Sequence, residues 1–280
     1  MNYGGLEEEF SLYENSSIAV LPVPYDGTST WIKGADKGPD AILEASENME
    51  LYDIETNSTV YTKGIFTADA VLGVETPEKL SDIVEEKVFK FLSDKKFPVI
   101  LGGEHSVSIG SIKAFAKFYN DITILQFDAH SDLRSEYEHS AYNHACVMAR
   151  AQEVAPILQV GIRSMDVSEK VNMDLDRIFF AHQIRNNTDW HEKVLSKLTK
   201  NVYITIDLDV FDPSIMPSTG TPEPGGMFYN EVLDFIKKVN KRANIVGFDV
   251  VELCPNELEK SSNFMASKLI YQILSEKFIN

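Results

Sequence analysis

The sequence predicts an α/β fold, a three-layer α/β/α sandwich around a mainly parallel sheet, from two observations. Short apolar runs rich in β-branched residues recur along the chain, and amphipathic segments of helical period lie between them. The first run is 18–23. A helical face follows at Leu80, Ile83, Val84, Val88, Phe91 and Leu92, then runs at 97–101, 122–127, 157–160, 178–180, 202–206 and 245–251. Ala266, Leu269, Ile270, Ile273 and Leu274 share a last helical face. Runs that are apolar without alternation read as strands buried on both sides. Parallel neighbours need crossover connections, and those crossovers cover the sheet with helices.

At 280 residues the chain can bury a large core, and it reads as one domain, 1–280. Acidic residues outnumber basic ones 43 to 26, for a net charge of -17, which argues against nucleic acid and suits a small cationic partner. No apolar stretch approaches the ~20 residues of a membrane span, so no membrane partner is expected. The acidic start MNYGGLEEEFSLYENSS lacks the basic and apolar regions of a secretory signal, and a cytoplasmic protein is the expectation. Cys146 and Cys254 have no CxxC spacing and read as buried or half-buried thiols without a role.

Ligands in open parallel sheets bind beyond the carboxyl ends of the strands. The polar clusters fall there: GGEHS after the run ending at Leu101, DAHSD after Phe127, and DLDVFD after Ile206. In Asp128-Ala129-His130-Ser131-Asp132 the polar groups recur at every second residue, which turns them to one side while the chain stays extended. Asp207-Leu208-Asp209 repeats the spacing, and His105 follows two glycines that allow a tight turn. Four aspartates crowded without cations would repel one another and resist ionisation. Two divalent cations balance their charge, and an oxygen-rich set with imidazoles and no thiolate favours Mn²⁺ or a similar ion over structural zinc.

These motifs resemble, in order and spacing, those of the ureohydrolases, the family of arginases and agmatinases. YDGTSTW, KGPDAI, TGTPEPGG and FDVVELCP extend the resemblance over most of the chain, and glutamate in GGEHS is most like agmatinase. The resemblance implies the arginase-like α/β/α fold and a dinuclear centre of two Mn²⁺ held by His105, Asp128, His130, Asp132, Asp207 and Asp209. It implies hydrolysis by a metal-bridging hydroxide oriented by Asp132, with Glu252 gripping the substrate guanidinium and His144 moving protons. A near-neutral His144 suits that work, and only the resemblance separates it from His139, read as a loop residue. His182 and His191 match no motif, and Thr221 is similar to a substrate-pocket hydroxyl of the family. A homo-oligomer, trimer or hexamer, is also implied.

Agmatine, cleaved to putrescine and urea, is the expected substrate. The loop 133–143 should face the pocket mouth and sets Glu136 and Glu138 against Arg134, a balance that suits a terminal ammonium better than a carboxylate. Arg134 could instead admit guanidinobutyrate, and arginine or a guanidino-polyamine stays open, because residues 31–36 depart from agmatinases that carry arginines there. A two-metal phosphoesterase is the rival enzyme class, but GGEH precedes DAHSD and no GNH or GHxH segment follows. A Ser-His-Asp hydrolase lacks its GxSxG elbow. A non-catalytic binding module would be expected to have lost a ligand, His144 or Glu252, and all are present.

Overall fold

The strand pattern closes into one sheet. In the computed structural model, which describes residues 1–185 and 187–279, the strands are β1 (Ile18–Val23), β2 (Ile65–Thr67), β3 (Phe97–Gly102), β4 (Ile122–Phe127), β5 (Ile157–Ile162), β6 (Ile178–Phe180), β7 (Asn201–Asp207) and β8 (Asn244–Val251). Their spatial order is β2-β1-β3-β8-β7-β4-β5-β6, and every pairing is parallel.

Side chains alternate between two cores. Ile18 and Val20 of β1 and Val99 and Leu101 of β3 join one, whereas Ala19, Leu21 and Ile100 join the other. Helices Gly38–Ser46, Tyr229–Arg242 and Ser261–Lys277 seal the first face through Ile42, Phe235 and Leu274. Helices Pro77–Ser93 and Ser108–Phe118 seal the second through Leu80, Val84, Ile112 and Phe115. Each such fully buried side chain contributes about 1.5–3 kcal/mol relative to leaving it in water. Thr76 caps the first of these helices by accepting from the Lys79 N–H, and Pro77 fills a first-turn position that needs no donor. Among the described residues no helix is long and apolar enough to cross a membrane.

Parallel register places the functional segments together. Phe127 pairs with Ile206, Asp207 with Val251 and Leu101 with Val250, so β3, β8, β7 and β4 end side by side. The chain leaves the sheet there as GGEHS, Glu252, the Asp207 turn and DAHSD. β2 was not foreseen: three residues at a sheet edge are too short to carry a periodic signal.

Candidate active site

Three strand ends supply two groups of ligands that share Asp128. His105 Nδ1 lies 3.2 Å from Asp128 Oδ2, 3.0 Å from Asp132 Oδ2 and 3.4 Å from Asp207 Oδ2. His130 Nδ1 lies 2.9 Å from Asp209 Oδ2 and 3.7 Å from the other oxygen of Asp128. One carboxylate facing two imidazoles with different oxygens defines two adjacent cation positions, one at His105–Asp128–Asp132 and one at Asp128–His130–Asp209.

The local chain paths differ from the expected extended alternation. Asp132 has φ of 51°, the left-handed region, and its carbonyl accepts from the N–H groups of Met148 and Ala149. Asp207 caps a short 3₁₀ turn at Leu208–Val210 by accepting from the Asp209 N–H at 2.9 Å. The carboxylates converge because their loops are pinned from outside. Glu169 accepts from the Ser131 hydroxyl and from the Leu133 N–H, and Gln126 donates to Asp128 at 2.7 Å. Arg163 donates to the backbone carbonyls of Asp209 and Phe211.

The donor set fits cations. His105 Nε2 lies 2.9 Å from the Thr205 hydroxyl, and that hydroxyl donates to Asp249 Oδ1 at 2.6 Å. With its one hydrogen committed to Asp249, Thr205 accepts from Nε2–H, which turns Nδ1 towards the carboxylates. Nδ1 makes no hydrogen bond, although three carboxylate oxygens stand around it. Without a cation, burial resists a charge on this ring but the three carboxylates prevail and hold its pKa well above the usual imidazole value, and a divalent cation takes the place of that proton. Burial, and then the charge of Asp128, pushes Asp132 up to about 7. Asp207 is raised well above the carboxylate range by burial and by Asp209 and Asp128. Both shifts mark charge that the protein alone does not balance.

A cavity of about 270 Å³ opens over this cluster, lined by His105, His130, Asp132, His144, Thr221 and Glu252 among others. Glu252 has φ of 66°, and its Oε1 accepts from the His105 N–H at 2.8 Å. Burial and the neighbouring Glu104 raise its pKa. Asp132 and Glu252 thus both hold backbone conformations that cost non-glycine residues about 1–3 kcal/mol. His144 departs from the near-neutral expectation: burial, then the charges of His105 and His130, push it down to about 4. It is therefore neutral at physiological pH. A larger cleft of about 870 Å³ beside Trp190 and Lys238 contains none of the clustered ligands.

All nine predicted site residues either join the two ligand groups or line this cavity. The acids at the mouth are not those expected, however. Glu136 and Glu138 are exposed and lie outside the lining, which instead includes Asp166 and Glu169. Arg134 lies within 3.7 Å of Asp166 and 3.6 Å of Glu169, with its guanidinium 4.3 Å from the centre of the Tyr137 ring. His139 sits in a separate surface groove. Thr28, Thr205 and Asp249 were missed as supporting residues, because a threonine or a buried strand aspartate has no spacing signal until its partner is known.

The Arginase family profile matches residues 16–275. The N(1)-aminopropylagmatine ureohydrolase of Synechocystis is 35% identical over 279 residues, covering 95% of this chain and 91% of that protein. The agmatinase of Pyrococcus horikoshii is 33% identical over 265 residues, covering 93% and 92% respectively. The solved agmatine ureohydrolase of Thermoplasma volcanium superposes with a TM-score of 0.89 at 31% identity, covering 99% of this chain and 94% of that one. The chain belongs to the arginase family, as an agmatinase-like ureohydrolase with a binuclear metal site.

Proposed function

We propose that this chain hydrolyses agmatine to putrescine and urea at a centre of two Mn²⁺ held by His105, Asp128, His130, Asp132, Asp207 and Asp209. The observation that carries the reading is the sharing of Asp128 between two ligand groups directly beside Glu252. The set of carboxylates and imidazoles suits Mn²⁺. When bound, two such cations would supply Lewis acidity, which lowers the pKa of water towards neutrality.

The chain's own residues do the rest. Glu252 accepts the paired N–H groups of a guanidinium, which stays protonated at physiological pH. Its left-handed backbone, held by the Glu252 N–H donating to the Gly103 carbonyl, and its Oε1, held by the His105 N–H, fix the plane of that group against the cluster. Asp132 orients the attacking water and passes its proton towards the leaving nitrogen. His144, neutral and with Nδ1 already engaged by Thr28, exchanges protons at Nε2. Thr221 offers a hydroxyl at the cavity wall.

The far end of the substrate is read at the mouth. Arg134 is already opposed by Asp166 and Glu169, so a substrate carboxylate would have to displace acids to reach it. An ammonium instead finds the partly exposed carboxylate of Asp166. This disfavours arginine and guanidinobutyrate. A guanidino-polyamine is the second reading, supported by the activity named for the Synechocystis relative. Product analysis separates the two: agmatine turned over with a higher kcat/KM than aminopropylagmatine supports the first reading, and the reverse order replaces it with the second.

We also propose that 1–280 acts as one ureohydrolase domain and assembles as a homo-oligomer, trimer or hexamer. Membership of the family supports both, and sedimentation equilibrium tests the assembly.

A further inference from the structure

β5 ends irregularly. Between Val160 and Ile162 its register against β6 shifts, and Gly161 there has φ of 96°. Irregularities of this kind re-aim the side chains that follow. A Cβ on Gly161 would fall 2.8 Å from the Val210 side chain and 3.0 Å from the Asp128 carbonyl, so the strand end presses against two of the ligand loops. Arg163 leaves the strand at this point. Its N–H donates at 2.8 Å to the carbonyl of Ala129, which stands between the ligands Asp128 and His130.

The Arg163 guanidinium donates to backbone carbonyls and, among the described residues, hydrogen-bonds to no carboxylate. Its partners are Gly161, Asp209, Val210, Phe211 and Glu223. The two shortest bonds, both from Nη2, go to Asp209 at 2.6 Å and Glu223 at 2.8 Å. The short turn Leu208–Val210 cannot satisfy its own last carbonyls, and a planar cation with five donors in a fixed fork is suited to collect them. Releasing one of these carbonyls would leave a half-buried donor unmet, so the clamp resists opening.

Asp209 and Glu223 are also the residues whose carboxylates approach the two nitrogens of His130. Asp209 Oδ2 lies 2.9 Å from Nδ1 and Glu223 Oε1 lies 3.9 Å from Nε2. Arg163 thus holds the backbone of both segments that build the cation position at Asp128–His130–Asp209. The position at His105–Asp128–Asp132 has other supports. His105 is held by Glu252 through its N–H and by Thr205 at Nε2, and Glu169 accepts from the residues on either side of Asp132. The charge of Arg163 works against its clamp: a guanidinium repels a nearby cation, so by charge alone its removal would tighten metal binding.

We propose that Arg163 is a positioning residue for the Asp128–His130–Asp209 cation position alone, raising affinity there by clamping Asp209 and Glu223 about His130. Arg163 touches no substrate. The inference rests on the reading of the site as two cation positions.

The test is manganese binding by the full-length protein, followed by calorimetry and by electron paramagnetic resonance. Wild type is expected to take two ions and to show the spectrum of a coupled pair. In Arg163→Met one ion is weakened by about 10- to 100-fold while the other changes by less than about threefold, and the coupled spectrum returns only as manganese is raised. A His130→Ala background, which keeps only the other position, identifies the affected ion: there Arg163→Met changes the remaining affinity by less than about threefold. Arg163→Lys, a point charge with three donors, recovers only part of the loss. Equal weakening of both ions, unchanged affinities, or tighter binding in Arg163→Met overturns the inference. Should that variant fail to fold, Arg163→Lys is held to the same selective loss. A wild type that takes a single ion overturns the two-cation reading, and the inference falls with it.

Discussion

His105 Nδ1 stands 3.2 Å from Asp128 Oδ2 with no hydrogen bond on that nitrogen. The ring is turned so that Nδ1 meets the carboxylates, which against the effect of burial hold its pKa well above the usual value, and a divalent cation replaces the proton they draw there. Replacing Asp128 by Asn removes the charge common to both ligand groups. Metal analysis after dialysis is expected to show both ions lost together, with urea release down by about 10³-fold or more. Retention of two ions by this variant would contradict the shared-ligand geometry.

Thr205→Val removes the hydroxyl that sets the His105 tautomer without removing a ligand. Supporting groups of this kind are worth about 10- to 100-fold in metal affinity. Chelator competition is expected to show a weakening in that range while the folded spectrum is retained. Unchanged affinity would mean that Asp249 and Thr205 serve only the packing of the sheet.

The metal-free protein should lose stability as pH rises. Asp132 is pushed up to about 7, whereas an unfolded aspartate titrates near ~3.9, so between these values the folded state binds more protons than the unfolded state. Stability is therefore fully present below the lower value and is lost as pH climbs to the upper one. Asp207 and Glu252, also raised, act in the same direction. His144 opposes them, since its folded value of about 4 lies below the unfolded value of ~6.5 and its contribution is lost as pH falls between the two. The carboxylates outnumber it, so the Tm of chelator-treated protein is expected to be higher at pH 5 than at pH 8. Manganese should reverse the order by taking the place of the protons. A metal-free Tm that rises from pH 5 to pH 8 would contradict this account.

Gly103→Ala places a methyl against the Tyr25 backbone, where neither side can yield easily. It is expected to destabilise the fold by about 1–3 kcal/mol and to lower kcat more than surface substitutions do, because both loops that it spaces carry site residues. Denaturant titration and urea assays on the same preparation check the two effects together.

The strands were legible where continuous apolar runs carried them, and their ends were not. Gly102, Ile162, Asn201 and Asp207 extend the strands beyond the expected runs, held by ladder hydrogen bonds or register that composition does not mark. The ligands were legible because carboxylates and histidines at strand ends are costly without a function. Their local geometry differs from the expected extended alternation: Asp132 reaches the cluster through a left-handed residue and Asp209 through the 3₁₀ turn that Asp207 caps. The mouth was misread for a related reason. Glu136 and Glu138 are close to the motif in sequence, whereas Asp166 arrives from beyond β5 through the fold.

Urea release from agmatine, measured on metal-stripped protein before and after manganese is restored, tests the central claim most directly. The prediction is equal amounts of urea and putrescine that appear only with metal, saturate near two ions per chain and vanish in His130→Ala. A protein that binds two manganese ions and releases no urea from agmatine, aminopropylagmatine, guanidinobutyrate or arginine would contradict it.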